Sequence, residues 1–221
     1  MKLFLRAKHW QLFILLFAIP FIIQCVFMFA LFKDIFTEIG FGHRYVEPEP
    51  DPARILSLVL PFLPGVIILS IIVAILHFGW LYTLGVSLHK KLPSNVVMPV
   101  RTFKAFVIIP AVYIIIFSFL MVYFLQAVFT TMQLQIHDDF RNEPPPSWFF
   151  FPFLLLPVHF FVMFCIFYSF YFTSKCLRAV ELQREVTFGD YVGEFFCMWF
   201  SFVGVWLIQP RINKLFAEDI T

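Results

Sequence analysis

Charge is scarce in this sequence, and five stretches have none. Of the 221 residues 14% are charged, where a soluble domain carries about a quarter. No Lys, Arg, Asp or Glu occurs in 10–32, 55–86, 105–129, 149–172 or 195–208. Proton-coupled pumps and carriers work through ionisable groups inside the membrane, so charge-free interiors speak against them. They leave open a passive channel or a carrier for a neutral solute. Alternation of polar and apolar residues is also missing, which excludes a barrel of amphipathic strands. The four cysteines, Cys25, Cys165, Cys176 and Cys197, form no CxxC pair. They supply no metal or redox framework and are expected to be small apolar residues. HExxH, GxSxG and Walker motifs are absent. No catalytic residue, cofactor or metal is therefore expected. His137, Asp138 and Asp139 are neighbours on a loop and are explained by solvation.

What the chain has is apolar length: 61% of it is hydrophobic and mean hydropathy is +0.88. A helix needs about 20 apolar residues to cross a bilayer, and hydrocarbon forces the backbone to satisfy itself as helix. The expectation is an all-α polytopic protein, one integral membrane domain over 1–221. Its four full transmembrane helices fall at about 10–32, 55–86, 105–129 and 149–172. A short fifth membrane helix over 191–209 is either re-entrant or barely spanning. Lys2, Arg6 and Lys8 followed by an apolar run imitate a signal peptide. The run is too long for one and lacks a small-x-small cleavage pattern, so it is read as a retained first helix.

Lys and Arg set orientation. Residues 1–9 carry Lys2, Arg6 and Lys8, and 87–104 carries Lys90, Lys91, Arg101 and Lys104 with no acid. The alternate connections, 33–54 and 130–148, are acidic and proline-rich. The N-terminus and the 87–104 loop are therefore expected in the cytoplasm. Trp10, Trp80, Tyr82, Trp148, Tyr168 and Tyr171 fall near the boundaries, as interfacial aromatic belts do.

Residues 173–190 are expected in the cytoplasm, as an amphipathic helix on the membrane surface or as an extension of the fourth helix. Gly189 interrupts what precedes, Thr187 and Asp190 are N-cap candidates, and Pro210 should end the helix that follows. The charge-free part of that helix, 195–208, is short for a span, which favours a segment that dips in and returns. If it returns, Glu194 and Arg211 lie at one depth; if it spans, about 25 Å separates them.

The stretch "RAVELQREVTFGDYVGEFFCMWFSFVGVWLIQPRINKLF" and the opening "KHWQLFILLFAIPF" resemble a group of uncharacterised bacterial multi-pass membrane proteins. The resemblance implies a bacterial inner-membrane setting and brings no activity, cofactor or catalytic residue.

Polar residues inside the spans are Gln24, Ser70, His77, Tyr113, Ser118, Gln126 and His159. Counting 1.5 Å per residue from the cytoplasmic ends puts Gln24, Ser70, Ser118 and His159 at ~20–24 Å. His77 and Tyr113 fall at ~12–14 Å. Such residues tie helices together, and His159 is expected to pack inside the bundle and bond a polar partner, Gln24 being the first choice. A bis-histidine haem site from His77 and His159 is disfavoured by their difference in depth. Asp190, Glu194 and Arg211 form a charged group at headgroup level, read first as capping and anchoring. The function expected is a non-catalytic scaffold or accessory subunit. The alternatives are a small carrier or channel for a neutral solute and a lipid-headgroup-modifying enzyme. Expected partners are membrane lipids and other membrane proteins or further copies of the chain, not nucleic acid.

Overall fold

In a computed structural model the residues described are 2–38, 57–137 and 150–217. The two acidic connections and the last residues lie largely outside them, as do Trp148, Asp138 and Asp139. All regular structure among the described residues is helical. Four stretches are long and apolar enough to cross a membrane: His9–Thr37, Ser57–His89, Val100–Thr131 and Phe153–Leu182.

The first stretch is not one uniform helix. It begins with α1 (Lys2–Arg6) and, after an extended Lys8, α2 (His9–Phe13). A π-helical turn at Ile14–Ala18 then leads into α3 (Ile19–Glu38). Pro20 accounts for the π turn. It has no N–H to give the carbonyl four residues back, and its ring would crowd that carbonyl. Widening the preceding turn, with the Ile19 N–H bonded to the Ile14 carbonyl, avoids the clash. The second stretch enters through a 3₁₀ turn (Leu60–Phe62) with Pro61 in its first positions, then α4 (Leu63–His89). α5 (Val100–His137) and α6 (Phe151–Leu182) each carry one internal proline, Pro110 and Pro157.

Residues 173–182 continue α6 without a break, so no separate surface helix forms there. The helix stops where Gln183 takes a left-handed φ of 52°. The helix expected over 191–209 is two helices, α7 (Phe188–Trp199) and α8 (Ser201–Leu215), meeting at a non-helical Phe200. Pro210 does not end the second of them. Ser201, Gly204, Val205, Ile208, Gln209, Ile212 and Phe216 are all buried. That helical stripe continues straight through the proline, and Pro210 itself lies on the exposed side. Burial on one face outweighs the lost hydrogen bond on the other.

The residues group into two compact units along these helices. One comprises Met1–Pro20, Val73–Tyr113 and Pro157–Thr221. Its core is dense: Phe103 stacks on Phe172 at 4.3 Å between ring centres, among fully buried Leu81, Leu84, Leu88 and Leu177. Gly85 is required here, since a Cβ would overlap the Phe103 ring. Ser169 and Thr173 turn their hydroxyls onto carbonyls of their own helix. Buried Ser174 has no partner among the described residues. In the other unit, Phe21–Ile72 and Ile114–Leu156, Ser70 and Ser118 lie 3.4 Å apart, Oγ to Oγ.

Candidate functional site: an ionic and amide clasp at the C-terminal hairpin

The site is assembled from three helix ends. The last turns of α6 carry Arg178 and Glu181, paired at 3.0 Å across one turn. α7 starts after Thr187, whose backbone N–H donates to the Asp190 carboxylate at 2.8 Å, the reciprocal arrangement of a capping box. The carboxylate also takes both terminal nitrogens of Arg184, at 3.0 and 3.2 Å. Hydrogen bonds from Arg184, then from Thr187, hold the Asp190 carboxyl down at a pKa of about 2.

One turn beyond Asp190, Glu194 faces inward. α8 returns Arg211 to it: Nη2 donates to Glu194 Oε1 at 2.8 Å, while Nε donates to Glu181 Oε1 at 2.7 Å. Arg178 completes the group, its Nε donating to the Asp190 carbonyl at 2.9 Å and lying 3.6 Å from Glu194. Two guanidiniums thus balance two carboxylates. The bond to Glu181 in particular drives the pKa of Arg211 upward, against partial desolvation. A guanidinium held so firmly in its charged form is a poor proton donor or acceptor at neutral pH.

The contact between Glu194 and Arg211 requires that the chain reverse between them, since 17 residues of continuous helix would separate them by about 25 Å. Reversal is tight because position 204 is glycine. A Cβ there would run into the Cys197 carbonyl. α7 runs back along α6, with Tyr191 beside Tyr171 at 5.7 Å and Trp199 edge-on to Phe167 at 5.1 Å.

A second set of bonds ties α8 to the N-terminus. The Gln209 side chain is fully buried. Its Nε2 donates to the Phe4 carbonyl at 2.8 Å and the Ala7 carbonyl at 3.1 Å. Its Oε1 accepts the Trp80 indole N–H at 3.2 Å. Asn213 Nδ2 donates to the same Ala7 carbonyl at 3.2 Å. α1 ends at Arg6, so these are carbonyls a helix terminus leaves without intrahelical partners. Lys91 does the reverse service for α8: its ammonium donates to the Leu215 carbonyl at 2.6 Å and sits 4.5 Å from the Phe216 ring centre.

Of the residues singled out from sequence, Glu194 and Arg211 meet, while Asp190 belongs to Arg184 and Thr187. Ser70 and Ser118 come together. His159 does not bury itself: it is exposed, and its Nδ1 bonds Tyr113 Oη at 3.2 Å. The polar partner that His159 meets is Tyr113, on α5, and not Gln24. Gln24 is half-buried. His77 contacts the Phe78 and Trp80 rings. Trp80 is no interfacial anchor, being 1% exposed. Cys25 is exposed, whereas Cys165 and Cys176 are buried. No three His, Cys, Asp or Glu among the described residues gather as a metal-binding set. Sequence reasoning did not reach Glu181, Gln209, Asn213 or Lys91 as site residues. Only the amide and guanidinium of "IQPRIN", placed where an apolar run stops, were a usable signal.

Four long apolar helices with their backbones satisfied internally define an integral, multi-pass membrane protein. No protein-family model, curated protein or solved structure matches this chain.

Proposed function

We propose that this chain is a non-catalytic scaffold or accessory subunit of a bacterial inner membrane. Its N-terminus, the 87–104 loop and the C-terminus lie in the cytoplasm, and α7–α8 forms a hairpin laid into the inner leaflet. The observation that carries the reading is how the charged groups around the C-terminal hairpin are used. Arg178, Glu181, Glu194 and Arg211 neutralise one another, and Gln209 with Asn213 closes helix ends. These groups hold segments together and offer no acid, base or nucleophile.

The hairpin's depth follows from its neighbours. Trp199 packs on Phe167, five residues inside the end of the fourth apolar run. The charge-free stretch 195–208, folded at Phe200, reaches only ~8–12 Å, less than the ~15 Å of one leaflet's hydrocarbon. Phe196, Trp199, Phe200 and Phe202 around the turn are exposed, a surface suited to acyl chains.

Extraction into native lipid particles followed by mass measurement tests the role. A scaffold or accessory subunit emerges in a fixed stoichiometric assembly, with a second protein or with further copies. A solitary monomer across extraction conditions would exclude it.

A further inference from the structure

Lys175 stands outside the charge balance of the clasp. It lies one turn before Arg178 on α6 and is half-buried. Its ammonium donates to Tyr171 Oη at 3.2 Å and sits 5.6 Å from the Tyr171 ring centre. Both contacts are to a neutral phenol, and among the described residues no carboxylate pairs with it. The Tyr191 ring, on α7, lies 5.7 Å from that of Tyr171. We propose that Lys175, Tyr171 and Tyr191 form a binding site for the phosphate of one anionic phospholipid.

Three observations converge on that occupant. First, the cation has no counter-charge. Glu181 and Glu194 are matched by Arg178 and Arg211, so the clasp has no carboxylate left for Lys175. An ammonium half out of water favours an anion beside it, and two of its three protons remain after the bond to Tyr171. Second, its neighbours are donors. Tyr171 Oη accepts from Lys175 and keeps its own proton to give. The Tyr191 hydroxyl has no acceptor among the described residues and lies within electrostatic reach of Lys175 and Tyr171. One ammonium and two hydroxyls, with no acid among them, suit the oxygens of a phosphate. A choline headgroup would bring a like charge to Lys175.

Third, the level is that of phosphates. Lys175 follows the charge-free run 149–172 by about 4.5 Å of helix. One turn deeper than Tyr171, Tyr168 packs on Phe106 at 5.0 Å and on Tyr171 at 5.9 Å between ring centres, an apolar floor at the depth of the first acyl carbons. α6 ends on the side of the 87–104 connection, where Lys90, Arg101 and Lys104 have no acid among them. A basic field at the end of an apolar span gathers anionic headgroups. The inference rests on the membrane setting and not on the scaffold role, so either can fail alone.

The test is native mass spectrometry of the full chain released from micelles doped equally with phosphatidylglycerol and phosphatidylcholine. The expected result is a single phosphatidylglycerol adduct, favoured over phosphatidylcholine and not displaced by added inorganic phosphate. Lys175→Gln should weaken the adduct ~fivefold, the weight of one basic residue near an anionic surface, and Lys175→Arg should retain it. Tyr191→Phe should weaken it with charge untouched. Lys8→Gln removes the same charge from an exposed lysine at the start of the first span and should leave it intact. Equal retention of both lipids would overturn the proposal. So would Lys8→Gln weakening the adduct as much as Lys175→Gln, which would assign the lipid to overall charge and not to a site. Displacement by inorganic phosphate would overturn it in favour of a soluble anion. An adduct unchanged in both Lys175→Gln and Tyr191→Phe would place the lipid elsewhere on the protein.

Discussion

At the residue scale, Gln209 does the most with one side chain. It satisfies an indole donor and two helix-terminal carbonyls inside a site closed to solvent. Leaving a buried donor or acceptor unpaired costs about 1–3 kcal/mol. Gln209→Leu should therefore destabilise the protein by about 2–4 kcal/mol, read as the shift in denaturant midpoint in mild detergent. Asn213→Leu should cost less, because Gln209 still reaches the Ala7 carbonyl. Equal losses would mean that the two amides are not arranged as described. Asp190 gives a different kind of test. Its folded pKa, about 2, lies below the ~3.9 of a free aspartate. The stabilisation it contributes is thus fully present above about pH 4 and is lost as pH falls towards 2. A carboxyl NMR titration should place its midpoint near the lower value. Arg184→Gln should move that midpoint upward, since Arg184 is the largest cause of the shift. No movement would assign the shift to Thr187 alone. Sequence spacing was enough to mark Thr187 and Asp190, because a cap is local. Gln209 could not be read from spacing, since its partners lie about 130 and 200 residues away.

At the element scale, the decisive feature is that 191–209 is a hairpin and not a helix. Two facts about its sequence were legible: the charge-free run is short, and acid precedes it while base follows. The turn at Phe200 was not, because phenylalanine carries no turn preference. The break is imposed by packing, through the stripe on α8 and the backbone contact at Gly204. Gly204→Ala should force α7 and α8 apart and cost about 1–3 kcal/mol, as overpacking does. A neutral outcome in a thermal melt would mean that the helices do not approach there. The clasp allows a paired test. Arg211→Gln leaves Glu181 and Glu194 sharing Arg178, a net negative charge in a half-buried place. For fully buried pairs such a loss costs about 3–5 kcal/mol. Arg211 is about a third exposed, so about 1–3 kcal/mol is expected after solvent screening. Adding Glu194→Gln restores neutrality and should recover part of the loss. Additive losses in the double variant would show that the two residues do not share a network.

At the scale of the whole molecule, the spans were legible because bilayer thickness imposes a length on charge-free sequence. The departures from straight helices were legible only in part: Pro20 announces a disturbance but not its π form, and nothing local marks the extended Lys8. The topology, however, can be argued from bonds as well as from charge. Gln209 joins α8 to α1, and Lys91, in the connection between α4 and α5, joins the end of α8. The start of α1, that connection and the end of α8 must therefore share one side. Four spans put the first two on the same side in any case; the third follows only if α7–α8 returns. Single cysteines placed at Glu49, Glu143, Lys91 and Thr221 in whole cells should separate the possibilities, with the native thiols as baseline. An impermeant reagent should label the first two and neither of the others, since Lys and Arg favour the cytoplasmic side. Labelling at Lys91 and Thr221 together would invert the orientation but keep the hairpin. Labelling at Thr221 without Lys91 would require a fifth crossing, and no crossing can coexist with Arg211 bonded to Glu194 and Lys91 bonded to the Leu215 carbonyl.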